Sequence, residues 1–363
     1  MTTASTPALS GRGSACQARR STNSSAKLPR NLRRSWVKNS RRSPCRSLAL
    51  RLARAIETAR AIGGSRGFEP ATIDELHEVD VGRWEGWDWG RIQAEDAEAY
   101  GHLVDDEGGP VVRDDVWIVN LSHEGKERQG WLTVGYGASE EHIGPEYGFG
   151  FAMGDYYEDP VLIIKCAWGG RSLVHNFLPP SAAEYPQPEK DGDMGFQYAE
   201  VVRHVQEITA NLEQYFPDYA GGGFEIVGLG WHQGWNDRIN ADAVNAYETN
   251  MAHFIRDMRA DLGIDDLPFV IANTGMGGWD IPETAHYKER VERLMEAQLA
   301  LGDAERHPEF AGTVMGVETR GFQRSREESP SNQEYHWNRN WETYYLIGTA
   351  MGDAMVELVE AAE

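Results

Sequence analysis

From about residue 110 onward, short apolar runs alternate with longer segments that have the spacing of amphipathic helices. The run Val161–Lys165 is rich in β-branched residues and shows no polar alternation, which is typical of a strand buried on both faces. Strands separated by segments of helical length predict an α/β fold, a parallel sheet covered by helices on both faces. The predicted strands are 116–119, 161–165, 225–229, 268–271 and 312–317. One predicted helix starts near residue 145, and the others span 198–215, 241–262, 283–301 and 341–359.

The charge of the chain, −22 in total, is divided very unevenly along its length. Residues 1–60 hold 14 of the 35 Lys and Arg residues and one acid, whereas residues 61–363 hold 21 basic and 56 acidic side chains. A basic arm can bind nucleic acid or membrane, but residues 1–46 lack the interleaved aromatic side chains on which bases stack. We therefore expect no nucleic-acid partner, and we interpret residues 1–46 as a disordered segment of the kind that a wrong reading frame encodes.

Other features of the whole chain exclude several classes of protein. The three cysteines, Cys16, Cys45 and Cys166, are odd in number and lack metal-ligand spacing, so neither a disulfide framework nor a metal site is expected. No run approaches the roughly 18 apolar residues of a membrane span, and no secretory signal is visible in the first 40 residues. We expect no membrane partner, while the compartment and the oligomeric state stay open.

Four segments concentrate glycine, aromatic and polar residues next to the predicted elements. They read IGPEYGFG (143–150), KCAWGGRSL (165–173), GWHQGWND (230–237) and EYHWN (334–338). Two of them begin where a predicted strand ends, and the carboxyl ends of parallel strands line the ligand crevice of an open α/β sheet. The sequence therefore predicts that these segments share one pocket at that edge.

The residue types in these segments suit acyl transfer. His336 follows the last predicted strand, where a general base would face donors from earlier strands. The backbone N–H groups of Gly169 and Gly170 and the amide of Gln233 could hold a developing oxyanion. The structural alternative makes His336 a hydrogen-bonded core histidine.

The segment 230–237 also has a structural interpretation of its own. Asn236 and Asp237 could cap a turn, and the two tryptophans between them and the strand could belong to the core.

Taken together, the four segments resemble the SGNH-hydrolase superfamily, in particular the carbohydrate-esterase branch of sialate O-acetylesterases and acetylxylan esterases. The resemblance covers about residues 111–363. It implies a three-layer α/β/α sandwich with a flavodoxin-like parallel sheet. It also implies a carboxylic ester hydrolase that removes O-acetyl groups from carbohydrates, with no metal and no organic cofactor.

The resemblance also implies roles for individual residues. His336 would be the general base, Gly169 or Gly170 a backbone oxyanion donor, and Gln233 a side-chain donor. The residues that could support them are Asn236, Asp237 and Glu334.

The chain departs from the family pattern in two places. Family members carry an acid three residues before the histidine, where this chain has Gln333, and Glu334 is the nearest carboxylate. The family nucleophile is the serine of a Gly-Gln-Ser-Asn motif that ends the first strand, and no such motif is present. Ser65 is a superficial match and Ser172 is expected to be a turn residue, so the nucleophile is unknown and the sheet is expected to lack its first strand.

A different resemblance occupies about residues 47–100, which look like a fragment of the histidine phosphatase superfamily. By position, Arg54 would be the phosphate-binding arginine and Glu78 the proton donor, but the N-terminal Arg-His-Gly motif is missing. Because a phosphohistidine mechanism needs its nucleophilic histidine, we interpret residues 47–105 as an inactive, mostly helical fragment.

These observations give three domains and three candidate functions. The domains are a basic segment (1–46), the phosphatase-like fragment (47–105) and the esterase-like domain (111–363). The leading function is a carbohydrate O-acetylesterase acting on an acetylated carbohydrate, with little activity in this chain because the nucleophile motif is missing. The alternatives are a catalytically dead carbohydrate-binding protein that uses the tryptophans Trp168, Trp231, Trp235 and Trp279, and a phosphatase.

Overall fold

The computed structural model describes residues 48–49, 71–72, 100–122, 127–182, 189–282, 285–331 and 335–362. The chain divides into two compact units, Met1–Val79 and Asp80–Glu363. In the first unit two short strands, Leu48–Ala49 and Ala71–Thr72, pair in parallel. This pairing differs from the mostly helical pattern that the sequence predicts for residues 47–105, because partners distant in sequence override local periodicity.

One part of the sheet lies in the first half of the second unit. It consists of β1 (Arg113–Asn120), β2 (Arg128–Leu132) and β3 (Val161–Lys165), in the order β2-β1-β3. Strand β2 runs antiparallel to β1, whereas β3 runs parallel to it over five residue pairs, from Val116 with Val161 to Asn120 with Lys165. The two strands that would flank the expected first strand are therefore paired directly with each other.

The other part of the sheet contains β4 (Leu229–Trp231), β5 (Phe269–Ala272) and β6 (Val314–Val317). All three strands are parallel and lie in sequence order. The existence of each strand is confirmed, but β4 begins only at Leu229, whereas the sequence predicts a strand over 225–229.

The described strands of the second unit form two separate three-stranded sheets, which are the two parts named above, and the break lies between β3 and β4. Within the described ranges, β3 pairs only with β1, and β4 pairs only with β5. The residues just before β4 form no ladder, and Phe224 is largely exposed. This interruption is consistent with the expectation that the sheet lacks its first strand, and it leaves residues 225–228 outside the ladder that the sequence predicts for them.

Six helices are described in the second unit. They are α1 (Pro145–Tyr156), α2 (Phe196–Ala210), α3 (Leu212–Tyr215), α4 (Ala241–Leu262), α5 (Lys288–Ala300) and α6 (Trp341–Ala362). Of these described helices, none is long and apolar enough to cross a membrane.

The ends of two helices follow from local sequence signals. The side chain of Asn240 accepts hydrogen bonds from the backbone of Asp242 and Ala243 and so caps α4, which ends at Gly263 in a left-handed conformation (φ 70°). Pro145 lies in the first turn of α1, where its missing N–H costs no helical hydrogen bond.

Strand β5 shows that helices cover both faces of the sheet. Phe269 and Ile271 pack into a core with α4 and α5, whereas Val270 and Ala272 pack into a core with α6. Because side chains alternate along a strand, this division places α4 and α5 on one face and α6 on the other. The three-layer α/β/α arrangement is confirmed.

Helices α1 and α6 approach each other through glycine. A Cβ atom on Gly148 would collide with the carbonyl oxygen of Tyr345, and one on Gly348 would collide with that of Pro145. Helix α1 packs on β1 and β3, while α6 packs on β5 and β6. The contact between these helices therefore joins the two parts of the sheet below the interruption.

Residues 100–104 belong to the core of the second unit. The Tyr100 hydroxyl donates to Glu342 at 2.9 Å, His102 bonds to the Tyr345 hydroxyl at 2.8 Å, and Leu103 is fully buried. The end of the fragment that the sequence places at 47–105 therefore packs against helix α6 of the second unit.

Candidate functional site

A buried carboxylate joins the loop after β3 to the loop after β4. Asp237 accepts hydrogen bonds from the backbone N–H groups of Leu173 at 3.0 Å and Val174 at 3.1 Å. Burial raises the pKa of Asp237, and these hydrogen bonds oppose that rise because they stabilise the charged form. We call this arrangement the Asp237 clamp.

Gln233 completes the clamp and has no free amide proton. Its Nε2 donates to the carbonyl oxygen of Arg171 at 2.9 Å and to Asp237 at 2.7 Å, and its Oε1 accepts from the Tyr247 hydroxyl at 3.2 Å. A side-chain amide carries two protons, so both are used. In this conformation Gln233 orients the loop after β3 and does not present the free oxyanion donor that the sequence predicts.

The glycine pair of the same loop does present free donors. Gly169 and Gly170 are exposed, and no described residue accepts a hydrogen bond from either backbone N–H group. Gly170 has φ 68°, a left-handed conformation that glycine adopts without steric cost. The bond from Gln233 to Arg171 holds the chain immediately after this pair, so the two N–H groups sit on an anchored loop at the carboxyl edge.

His336 begins a turn with an unusual backbone. His336, Trp337, Asn338 and Arg339 all have positive φ, between 50° and 61°, and none is glycine. Such a conformation costs roughly 1–2 kcal/mol per residue and persists where surrounding packing imposes it. Trp337 and Asn338 are buried and supply that packing, while His336 itself is exposed.

Although the residue is exposed, its ring is partly desolvated by neighbouring atoms, and this desolvation, followed by the nearby charge of Arg339, lowers the pKa of His336. The ring is therefore neutral at pH 7, which is the form that a general base requires. Within the described part of the chain, no hydroxyl or thiol is hydrogen-bonded to it.

A second histidine links two of the four sequence segments. The ring of His232 stacks on that of Trp337, with centroids 6.3 Å apart and 19° between planes. Its Nδ1 lies 3.4 Å from the carbonyl oxygen of Ala272, and burial lowers the pKa of His232 to about 4. This contact brings segment 230–237 next to segment 334–338, and the position of His232 directly after β4 was the signal for it.

Two serines lie near the site, and both hydroxyls are occupied. Ser172 donates to Asn176 at 3.4 Å, and its carbonyl accepts from Asn176 and Phe177, as befits the turn residue that the sequence predicts. Ser122 follows β1, accepts from the Ala167 N–H at 2.9 Å and donates to the Lys165 carbonyl at 3.3 Å. Neither is joined to His336.

The remaining predicted site residues are placed as follows. Asn236 is half-buried and makes no side-chain cap on the turn that follows it, so the capping alternative is wrong for Asn236. Glu334 lies outside the described residues, as do Gln333, Ser65, Arg54 and Glu78.

The four tryptophans of the carbohydrate-binding alternative have different environments. Trp231 is core, since it is 6% exposed and donates to Tyr247 at 3.0 Å. Trp168 stacks on the ring of His204, and Trp279 is half exposed. The expectation that all four line one cleft is therefore wrong for Trp231.

The described residues were searched for side chains that could together bind a metal ion. Across the described residues, no group of three or more His, Cys, Asp or Glu side chains is arranged to hold a metal ion.

Comparison with protein families identifies the second unit. The model of the carbohydrate esterase family of sialic acid-specific acetylesterases matches residues 116–318, more than half of the chain. The chain belongs to this carbohydrate esterase family. The match contains the loops after β3 and β4, and it ends immediately after β6, before the His336 turn.

A second family model, branch 1 of the histidine phosphatase superfamily, matches residues 46–113. The predicted phosphatase-like fragment is thereby confirmed as a resemblance, and its match reaches the first residue of β1. Comparison with curated proteins gave no match.

Solved structures similar to this carbohydrate esterase chain include two partial matches. A protein from Arabidopsis thaliana is 20% identical, with a TM-score of 0.43 over 66% of this chain and 80% of its own. A carbohydrate acetylesterase from Xanthomonas citri is 15% identical, with a TM-score of 0.40 over 76% of this chain and 53% of its own. The chain thus spans about half the length of the Xanthomonas protein.

Proposed function

We propose that the second unit hydrolyses O-acetyl esters of carbohydrates, and that it does so slowly in this chain. The observation that carries the proposal is the anchored glycine pair. Its two free N–H groups lie at the carboxyl edge of a domain whose family is that of carbohydrate acetylesterases. Fixed N–H donors of this kind stabilise the oxyanion that forms when an acyl carbonyl is attacked.

The base of the proposed reaction is His336. Its lowered pKa keeps the ring neutral at pH 7, and its exposure leaves it accessible to an attacking hydroxyl group. In the two-step route that the family resemblance implies, a serine attacks the acetyl carbonyl and gives its proton to the base. The sugar hydroxyl then leaves with that proton, and water releases acetate from the acyl-enzyme.

The slow rate follows from the missing nucleophile. No described hydroxyl is bonded to His336, so we propose that water attacks the acetyl carbonyl directly in this chain. His336 takes the water proton and passes it to the departing sugar oxygen, and the products are acetate and the sugar. Oxyanion donors and binding without a nucleophile still give roughly 10³–10⁴-fold acceleration over water in serine hydrolases.

Acetate release from O-acetylated N-acetylneuraminic acid and from acetylated xylan tests this proposal. We expect slow release without a pre-steady-state burst, and a loss of at least about tenfold in kcat/KM for His336→Gln, since general bases contribute about 10²–10⁴-fold. His253→Gln is the matched control, because His253 lies on α4 and bonds to Ser181. Release that is equal in the wild type and His336→Gln would contradict the assigned base, and a stoichiometric burst would reveal a nucleophile.

Binding without catalysis is the second candidate function. The observation that favours it is Trp279, which is half exposed on the loop after β5 and could stack on a sugar ring. Calorimetry and acetate assays with the same acetylated sugars separate the two functions, because a binding protein would show affinity and release no acetate.

A further inference from the structure

A thiol, an imidazole and a carboxylate lie in sequence beside the glycine loop. Cys166 is the first residue after β3, and its Sγ lies 3.6 Å from Nδ1 of His204 on α2. On the other side of the ring, Nε2 lies 3.5 Å from a carboxylate oxygen of Glu200, one helical turn earlier. The thiol and the carboxylate face different ring nitrogens, so the three side chains cannot surround one metal ion. Their order is that of a nucleophile, its base and a group that orients the base.

The ring of His204 has room for the proton of the thiol. The residue is 1% exposed, and its Nε2 is shielded from solvent without a hydrogen-bond partner among the described residues. Because a thiol is the donor in its contact with an acceptor nitrogen, Cys166 donates to Nδ1 and the ring proton is on Nε2. If Nδ1 takes up the thiol proton, the contact with Glu200 becomes an ion pair that stabilises the charged ring.

Both members of the thiol–imidazole pair are neutral at pH 7. Burial, and then the charge of Arg203, lower the pKa of His204, while the carboxylates of Glu200 and Glu207 oppose this shift. Desolvation of the sulfur raises the pKa of Cys166 to about 12. The resting pair is therefore not a thiolate beside an imidazolium, and attack by the sulfur requires that His204 remove the proton as the new bond forms.

The surroundings of the sulfur limit the size of a ligand. Trp168 stacks on His204, with ring centroids 5.8 Å apart and 23° between planes, so the base is held between Cys166 and this tryptophan. Cys166 and Trp168 are both half-buried, whereas Ala167 between them is exposed. A sulfur in this position suits a small, extended donor and not a polysaccharide.

The neighbouring backbone indicates acyl chemistry. The loop that begins with Cys166 also carries Gly169 and Gly170, whose exposed N–H groups have no acceptor among the described residues. Such donors stabilise the oxyanion that forms when a nucleophile attacks an acyl carbonyl. A thiol and a glycine pair within five consecutive residues thus supply a nucleophile and oxyanion donors on one loop.

The leaving group distinguishes two kinds of acyl donor. When a thiol attacks the acetyl ester of a sugar, the group to be expelled is an alkoxide, which is a much stronger base than a thiolate. The adduct then reverts to the thiol and the ester. With a thioester the group to be expelled is another thiolate, so the exchange is balanced and proceeds readily, since leaving groups of lower pKa depart faster.

We propose that Cys166 accepts the acyl group of a small acyl thioester, with His204 as the base and Glu200 as the partner of the charged ring. Sγ bonds to the carbonyl carbon while the S–H proton moves to Nδ1 of His204. The C–S bond of the donor then breaks, its sulfur leaves with that proton as a free thiol, and Cys166 carries the acyl group as a new thioester. This activity goes beyond the proposed ester hydrolysis, whose base is His336.

Transfer of an acetyl group to the full chain tests this inference. The donor is S-acetyl-N-acetylcysteamine, the matched oxygen ester is 2-acetamidoethyl acetate, and peptide mass spectrometry quantifies acetylation at Cys166 apart from Cys16 and Cys45. We expect acetyl-Cys166 to form at least about tenfold faster with the thioester. His204→Gln should lower this rate at least about tenfold, since general bases contribute about 10²–10⁴-fold. His253→Gln, at a histidine that bonds to Ser181, is the matched control and should leave the rate unchanged.

The pH dependence separates a base from a merely structural histidine. In the wild type the rate should level off above about pH 6.5, because His204 is neutral from there upward. In folded His204→Gln it should rise about tenfold per pH unit from pH 7 to 9, since the thiolate must form without a base. An unfolded variant would instead expose a thiol of ordinary pKa, about 8.5, and its rate would level off near pH 9.

The carboxylate is tested by a variant that leaves the thiol and the base in place. Glu200→Gln removes the charge that stabilises the protonated ring, so the rate should fall about threefold or more. Glu213→Gln, at an exposed acid on α3, is the control and should leave the rate unchanged.

The outcomes decide this inference apart from the proposed function. No acetyl group on Cys166, equal rates in the wild type and His204→Gln, a wild-type rate that keeps rising with pH, or equal rates with the two donors would overturn it. Acetate release from acetylated sugars, measured on the same wild-type protein, reports the esterase separately. Acetylation of Cys166 without such release would uphold the inference and refute the esterase proposal, and release without acetylation would do the reverse.

Discussion

The two parts of the sheet differ in how they are built and in what they contribute to the site. Strands β4, β5 and β6 form a regular parallel ladder, and the loops after β4 and β5 carry His232, Arg238 and Trp279. Strands β1, β2 and β3 include an antiparallel pair with a register shift, and their contribution is the glycine loop. The candidate site therefore needs both parts, although no described strand pairing joins them.

Two contacts replace the missing ladder between the parts. At the carboxyl edge the Asp237 clamp holds the glycine loop, and on one face of the sheet the glycines of α1 and α6 allow close helix packing. A chain without a continuous central sheet can thus keep the two loops of the candidate site in register through side-chain hydrogen bonds and helix packing. Each of these two contacts can be disturbed by a single substitution.

The largest effect is expected from Gly348→Ala in α6. The added Cβ would collide with the carbonyl oxygen of Pro145, and overpacking of this kind costs about 3 kcal/mol, more than the gain of roughly 1 kcal/mol in helix propensity. Denaturant unfolding measures the change. Gly222→Ala, which meets open space, is the control, and equal stability of the two variants would show that the helix contact does not hold the parts together.

A smaller loss of stability is expected from Asp237→Asn. The amide faces the donors of Leu173, Val174 and Gln233 with one oxygen instead of two, so we expect a loss of about 2 kcal/mol. Amide hydrogen exchange should accelerate across the glycine loop, since its anchor is weakened. Asp218→Asn, an exposed acid, provides the comparison, and unchanged exchange in the loop would rule out the clamp as the link.

The pH dependence of acetate release tests His336, the proposed base, which follows the parallel ladder of β4, β5 and β6. Because the pKa of His336 is lowered, its neutral form persists below the usual histidine value of about 6.5, so the acidic limb of the rate profile should lie below that pH. Arg339→Gln removes one of the two causes and should move this limb toward higher pH. A limb that stays in place in this variant would mean that Arg339 does not act on the base.

The smallest effect is expected away from both contacts. Arg203 pairs with Glu200 and Glu207 on the surface of α2 with half of its side chain exposed, so Arg203→Ala should change the free energy of unfolding by less than about 0.5 kcal/mol. Chemical denaturation checks this value. A loss as large as that of Asp237→Asn would indicate that surface pairs matter as much as the clamp.

Local signals in the sequence were sufficient for many elements. The apolar run of β3 and the helix α4 have the predicted residues, because four consecutive residues of the strand are apolar and α4 is bounded by a capping asparagine and a left-handed glycine. The four polar segments were recognisable because they lie beside elements whose periodicity is strong. Helix α5 begins at Lys288, five residues later than predicted, since no comparable capping signal marks its start.

The sequence alone determined the α/β class, most of the strands and helices, and the segments that carry the candidate site. Only the tertiary structure decided that β1 pairs directly with β3, that the amide of Gln233 is already occupied, and that Arg238 is left without a carboxylate. The left-handed turn at His336 also had no sequence signal, as it contains no glycine. The physical reason is common to all four: hydrophobic periodicity and capping act within a few residues, whereas strand pairing, hydrogen-bond occupancy, charge neutralisation and the packing that imposes a strained turn depend on partners far apart in the chain.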